Sequence, residues 1–252
     1  MNCSGLSDRY IFSLKTANGE DLIITLKDLA LRWNIGLETA TRTLQSTTLL
    51  YPRNAGTISL NRHYSNNNRI LQYCRLMTPM YSDMMFVSKR AGKSHRNFTC
   101  AQIFATDFGW VEVVPMEVER NIHLAFKHVF KDFGVPESMI VDGAKSQVKG
   151  KTKELCDMAQ CEICELEKDT PSSNQAKHAI KSLKNDTKKY MNLANSLLVF
   201  WCYCIERRAT IHQLSAKNNF FLNDIVPHSN LTGDRADISH VAYFQWYKWI
   251  KF

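Results

Sequence analysis

Apolar residues at Leu26, Leu29, Ala30 and Trp33 recur at helical spacing and share one face, which predicts a short helix. Thr25 stands three residues before Asp28, a capping sequence, and Asn34-Ile35-Gly36 breaks the pattern. A second helix is predicted over residues 37–45. Upstream, residues 10–25 hold two short β-rich runs around Asn18-Gly19, a hairpin signal with a loop longer than the tight two-residue form. Two helices around a glycine-containing turn are a helix-turn-helix candidate in which Arg42 would reach a phosphate or a base edge. An ordinary helical hairpin is the plainer reading, because a groove-reading helix is usually richer in exposed polar and basic residues. Residues 52–69, polar and including Asn66-Asn67-Asn68, read as a linker and place a domain boundary near residue 75.

Beyond that boundary the period shifts to that of strands. Runs at 82–88, 99–106 and 110–116, joined by short connections, predict an antiparallel meander. A helix follows over 118–133, with Ile122, Ala125, Phe126, Val129 and Phe133 on one side and Gly134 ending it. Then come a strand at 138–141, a helix at 145–158, a strand at 161–166, and helices at 174–191 and 196–214. This order predicts an α/β core with a mixed five-stranded sheet flanked by helices, of RNase H-like type. The expected division is a small, mainly helical region over 1–75, the core over 76–215, and an extension over 216–252.

Composition narrows the class. A hydrophobic fraction of 44% with 22% charged residues is ordinary for a folded chain and unlike a disordered one. Lysine and arginine exceed the acids by eight, which favours an anionic partner such as nucleic acid without specifying one. No signal-peptide pattern and no run of about 18 apolar residues is present, which argues against secretion and membrane spanning. Cys100, Cys202 and Cys204 sit in apolar segments and read as buried thiols in a reducing compartment.

A series of segments then gives the pattern a family. Trp33-Asn34-Ile35-Gly36, Tyr81-Ser82-Asp83-Met84-Met85-Phe86, and Thr99 through Trp110 with its Thr106-Asp107-Phe108-Gly109-Trp110 ending occur in order. Gly134-Val135-Pro136, Val141-Asp142-Gly143-Ala144-Lys145, Ala236-Asp237-Ile238-Ser239-His240 and Phe244-Gln245-Trp246-Tyr247 follow. Together, over roughly residues 25–252, the chain resembles the integrase region of copia-type retrotransposons of the kind found in diatoms and related protists. The resemblance implies DNA 3′-end processing and strand transfer by two Asp and one Glu holding Mg²⁺ or Mn²⁺. It also implies DNA as partner, possible self-association, a nuclear location, and a chain cut from a polyprotein. On this likeness Asp83, on the first core strand, and Asp142, closing the fourth, are the catalytic and metal-binding carboxylates. Asp107 competes for the first position, but an Asp at a strand end is usually a turn former.

The third position departs from the pattern. The family carries an aromatic-Ser-Pro-Trp run followed by Asn, two small residues and Glu; here residues 170–180 read TPSSNQAKHAI, and Lys177 stands where Glu belongs. An ammonium cannot ligate Mg²⁺ and repels it. The expected consequence is an impaired joining centre, or a non-catalytic DNA-binding relic or a domesticated or pseudogene product. Lys177, Lys181, Lys184 and Lys188 fall on one helical face, opposite Ile180, Leu183 and Tyr190, and are candidates with Arg42 for DNA contact. Cys156, Cys161 and Cys164 show a C-x₄-C-x₂-C spacing, but their placement on a helix and a strand argues against a cluster. His63 and Cys74 lack the paired spacing of a zinc module.

Overall fold

The computed structural model describes residues 12–15, 21–49, 74–166, 174–218, 222 and 224–242. The linker expected at 52–69, His63, the stretch 169–173 and the segment 244–247 lie outside the described residues. The chain divides into two compact units, one from Met1–His63 with Leu214–Phe252 and the other from Tyr64–Gln213.

In the first unit the hairpin forms as β1 (Phe12–Lys15) and β2 (Asp21–Ile24), paired antiparallel. α1 (Leu26–Trp33) starts at a complete capping box: the Thr25 side chain accepts the Asp28 N–H, and Asp28 accepts the Thr25 N–H. It stops at Asn34, whose φ of 48° is the left-handed turn that Asn tolerates better than most residues. α2 (Leu37–Ser46) buries Ala40, Thr43 and Leu44. The C-terminal stretch belongs to the same unit. Thr48 bridges Asp237, and Val241 accepts a hydrogen bond from the Trp33 indole at 3.4 Å. The Trp33-Asn34 and Asp237-Ile238 segments, two hundred residues apart in sequence, are therefore parts of one structure.

The second unit opens with β3 (Arg75–Leu76), β4 (Met80–Phe86), β5 (Cys100–Ala105) and β6 (Val111–Met116). A 3₁₀ turn at Glu119–Asn121 leads into α3 (Ile122–Asp132), followed by β7 (Val135–Pro136) and β8 (Ser138–Val141). α4 (Lys145–Val148), α5 (Lys151–Ala159), β9 (Glu162–Glu165), α6 (Gln175–Leu193) and α7 (Trp201–Leu214) complete it. In the other unit, α8 (Pro227–Thr232) and α9 (Ser239–Ala242) follow. Three expectations are corrected. The single helix read over 145–158 is two, because Gly150, at φ 64° and ψ −141°, takes a backbone conformation essentially reserved for glycine. The helix read over 196–214 begins as a 3₁₀ turn, Leu198–Phe200. The connection from β4 to β5 is not short but runs over residues 87–99.

The sheet has the order β6-β5-β4-β8-β9. β4, β5 and β6 pair antiparallel, while β8 runs parallel to β4 and β9 parallel to β8. Every residue of β5 is buried, as expected of a strand covered on both faces. One cover is α3, where Phe126 meets Phe104 edge-on at 5.2 Å. Strand alternation sends Ile103 the other way, and α6 packs against β4 and β5.

Candidate functional site

Two strands and one helix bring the sequence-distant candidates together. Asp83 stands on β4, the central strand and not an edge, opposite Ile103 and hence on the α6 side of the sheet. Because Ser82 is in register with Val141 on the parallel strand β8, Asp142, the next residue, leaves the sheet beside Asp83. Its exit is followed by Gly143 at φ 66°. α6 begins at Asn174, a fully buried cap whose side-chain oxygen accepts the Ala176 N–H at 2.9 Å. The third residue of the helix is Lys177, and its Nζ lies 2.7 Å from Asp142 Oδ2.

That position is an unfavourable one for a cation. The first turn of a helix carries partial positive charge and prefers Glu or Asp, and α6 has no acid there. Asp142 supplies the compensating charge from outside the helix. Burial pushes the Asp83 carboxyl above its ordinary range, opposed by the Met84 N–H bond at 2.8 Å and the charge of Lys177. Asp142 raises it further, and Lys184 lowers it. Two carboxylates and two ammonium groups thus form one interacting cluster.

Lys181, Lys184 and Lys188 are exposed and Lys177 half-buried, so the stripe exists. It does not lie opposite the apolar face, as the pattern suggested. Ala176, Leu183, Thr187, Tyr190 and Met191 form that face, Ile180 is only half-buried, and the lysines lie roughly 100° from it, at its border. A border position is what lets Lys177 reach Asp142 while Lys181, Lys184 and Lys188 meet solvent. Arg42, in the other unit, is ion-paired to Glu38 within α2 and to Asp224 at 3.3 Å. Its guanidinium is thus engaged within its own unit. Asp107 is exposed in the turn closed by the Gly109 N–H to the Thr106 carbonyl, in keeping with a turn former.

A pair of divalent ions does not fit this donor set. Such a site needs hard oxygen ligands converging on both ions, and the third wall here is an ammonium within hydrogen-bonding distance of one of the two carboxylates. Among the described residues no group of three or more His, Cys, Asp or Glu is placed to hold an ion. A cleft lined by Arg120, His123, Ser146, Lys149, Lys151 and Thr152 lies apart from the carboxylates, none of which lines it.

No protein-family model matches the chain. No curated protein matches it by sequence. Solved structures do. The catalytic core domain of HTLV-2 integrase in complex with magnesium, in a trimeric form, is 16% identical over 62% of this chain and 95% of its own, with a TM-score of 0.48. The intasome of simian T-cell lymphotropic virus in complex with PP2A regulatory subunit B56 gamma is 12% identical, with a TM-score of 0.49. That match covers 65% of this chain and 59% of the other. The catalytic core of BIV integrase is 11% identical over 61% of this chain and 93% of its own, with a TM-score of 0.44. The order β6-β5-β4-β8-β9, antiparallel through the first three strands and parallel through the last three, decides the fold. The core is RNase H-like. Within it, the structure places Asp83, Asp142 and Lys177 in one cluster.

Two features of the RNase H-like core escaped the sequence reading. One is the set Asp186, Arg208 and His212, which joins α6 to α7 through contacts of 3.2 Å and 2.8 Å to Asp186 Oδ2. The other is the basic β4–β5 connection, visible in sequence as Lys89, Arg90, Lys93 and Arg96 without an acid between them.

Proposed function

We propose that this chain is an integrase-type core, of copia-like descent, that holds DNA along the α6 lysines and no longer joins it. The observation that carries this reading is the 2.7 Å contact between Lys177 Nζ and Asp142 Oδ2. In-line transfer at a phosphodiester requires one ion to activate the attacking oxygen and another to steady the leaving oxygen. Lys177 supplies a charge that offsets the carboxylates, but it offers no open coordination position and no Lewis acidity toward a phosphate. What remains is a cationic surface facing solvent, suited to sequence-independent, salt-sensitive binding of the backbone. The Mg²⁺ or Mn²⁺ requirement, the nuclear location and the self-association implied by the family belong to the ancestral activity in this reading.

The test is a joining assay with DNA ends, a target duplex and Mg²⁺ or Mn²⁺. No strand transfer is expected, while DNA is retained at low salt whether or not a divalent ion is present. Efficient joining by the unaltered chain would refute the proposal. The companion variant is Lys177→Glu, which suits the helix N-terminus but brings a third carboxylate against two others. It should melt lower than the parent in chelator and recover on addition of Mn²⁺, whereas the parent's melting temperature stays put.

A further inference from the structure

The connection between β4 and β5 is a fixed platform with an unneutralised cationic tip. Residues 89–96 carry four cations, Lys89, Arg90, Lys93 and Arg96, and no acid. Its base is closed by the Val87 N–H to the Thr99 carbonyl, and its first turn by the Ala91 and Gly92 N–H groups to the Ser88 carbonyl. Ser94, 4% exposed, accepts the Arg96 and Phe98 N–H groups on its hydroxyl at 3.2 Å and 3.0 Å. The His95 N–H donates to the Val199 carbonyl at 2.8 Å, tying the loop to the turn between α6 and α7.

Arg96 is the anchor. Its guanidinium lies 4.9 Å from the Phe98 ring centroid and 4.4 Å from that of Tyr203, and it is ion-paired with Glu206 of α7. The other three cations differ. Lys89, Arg90 and Lys93 are exposed, and among the described residues none of them is in an ion pair. Ordering a loop costs conformational entropy, and here that cost is offset by contacts of Arg96, Ser94 and His95, none of which involves the tip.

Its location gives the tip a role. β4 and β8 run parallel, so the loop leaves the sheet at the same edge as Asp142, with Phe86 roughly 10 Å beyond Asp83 along the strand. α6, carrying the lysine row, leads into the turn that holds His95. We infer that the β4–β5 loop is a second nucleic-acid contact, binding backbone phosphates through Lys89, Arg90 and Lys93 independently of the α6 lysines. This rests on the DNA-binding reading above and extends the bound length past the carboxylates.

The experiment is a salt titration of the full chain on a short blunt DNA duplex, with two triple variants. Lys89→Gln/Arg90→Gln/Lys93→Gln should weaken binding about ten- to a hundredfold near physiological salt and lower the slope of log K against log salt by about 2–3. Lys181→Gln/Lys184→Gln/Lys188→Gln should do the same separately, with unchanged melting temperatures in both. If the loop variant binds like the parent while the helix variant is impaired, the second contact is overturned and the DNA-binding reading stands. Should the parent show no salt-dependent DNA binding, both fall. A loop variant that loses binding to vesicles of anionic phospholipid but keeps its DNA affinity would also overturn the inference, in favour of a membrane surface. Tyr203→Ala, which removes one face of the anchor and no charge, should weaken binding several-fold and leave the salt slope intact; an unchanged affinity would mean the platform is irrelevant.

Discussion

α6 holds two encounters between a carboxylate and cations, and they differ in kind. At its start Lys177 meets Asp142 at 2.7 Å, with 33% and 38% of the two side chains exposed. Farther along, Asp186 accepts from His212 at 2.8 Å and from Arg208 at 3.2 Å, and the Arg208 side chain is 5% exposed. The Arg208 guanidinium also lies 4.1 Å from the Tyr190 ring centroid. Solvent screens both members of the first pair; in the second, Asp186 is 31% exposed but the guanidinium it neutralises is cut off from solvent. An exposed pair contributes about 0–1 kcal/mol, while breaking a buried one costs about 3–5 kcal/mol because a desolvated charge is left behind. The residue that decides the chemistry of this helix is thus not one that holds it in place.

The largest expected effect comes from attacking the second cluster. Asp186→Ala should lower stability by about 3 kcal/mol in urea melts at neutral pH. The His212 hydrogen bond, with Arg208 beside it, holds the Asp186 carboxyl below its ordinary value of 3.8. A depressed acid contributes stability that is present above the unfolded value and lost as pH falls through the folded one. The gap between parent and variant should therefore close below about pH 3.8, and a gap that persisted in acid would assign the effect to packing alone.

A third acid sharpens the contrast because it is half-buried with no cation. Glu112, on β6, accepts a hydrogen bond from the Gln213 side chain and is in no ion pair among the described residues. Burial pushes its carboxyl up to about 7. A raised acid works in the opposite sense: the native state holds the proton longer, so stability declines as pH rises from the unfolded value of 4.5 toward 7. Glu112→Gln keeps the acceptor for Gln213 and removes the charge. It should stabilise the chain by roughly 2 kcal/mol at pH 8 and by nothing measurable near pH 4; equal melts at pH 8 would show that solvent reaches the carboxylate.

These three acids also mark where sequence reasoning reaches and where it stops. The strand and helix order followed from periodicity, because a five-stranded sheet covered on both faces demands apolar runs at β5 and β8 and helical spacing at α3 and α6. Asp83 and Asp142 came as a pair from the family resemblance, and the parallel pairing of β4 with β8 sets them side by side. Lys177 emerged from a register that Asn174, Ala176 and Ala179 preserve. The Asp186 cluster had no such signal, since its partners are set by the packing of α6 on α7 and lie 22 and 26 residues away. The basic loop was written in the composition of residues 89–96 and overlooked, because a connection between strands carries no period to draw the eye. Tyr203 and Glu206, the α7 residues that hold its anchor Arg96, are invisible until α7 is placed. Gly150 shows the reverse error, a single residue whose left-handed backbone divides what periodicity joins.

The smallest effect is expected at the residue with the largest chemical consequence. Lys177→Met removes the ammonium and keeps most of the aliphatic stem. Two opposing changes follow: Asp142 loses its partner, and the helix start is relieved of a cation it disfavours. Asp142 is partly in solvent, so the loss of its partner strands no buried charge. The net change in unfolding free energy should stay under about 1 kcal/mol and shrink further in high salt. If Lys177→Met instead cost as much as Asp186→Ala, the pair at the start of α6 would be a structural clamp, and the lysine would owe its place to the fold and not to the loss of a metal site.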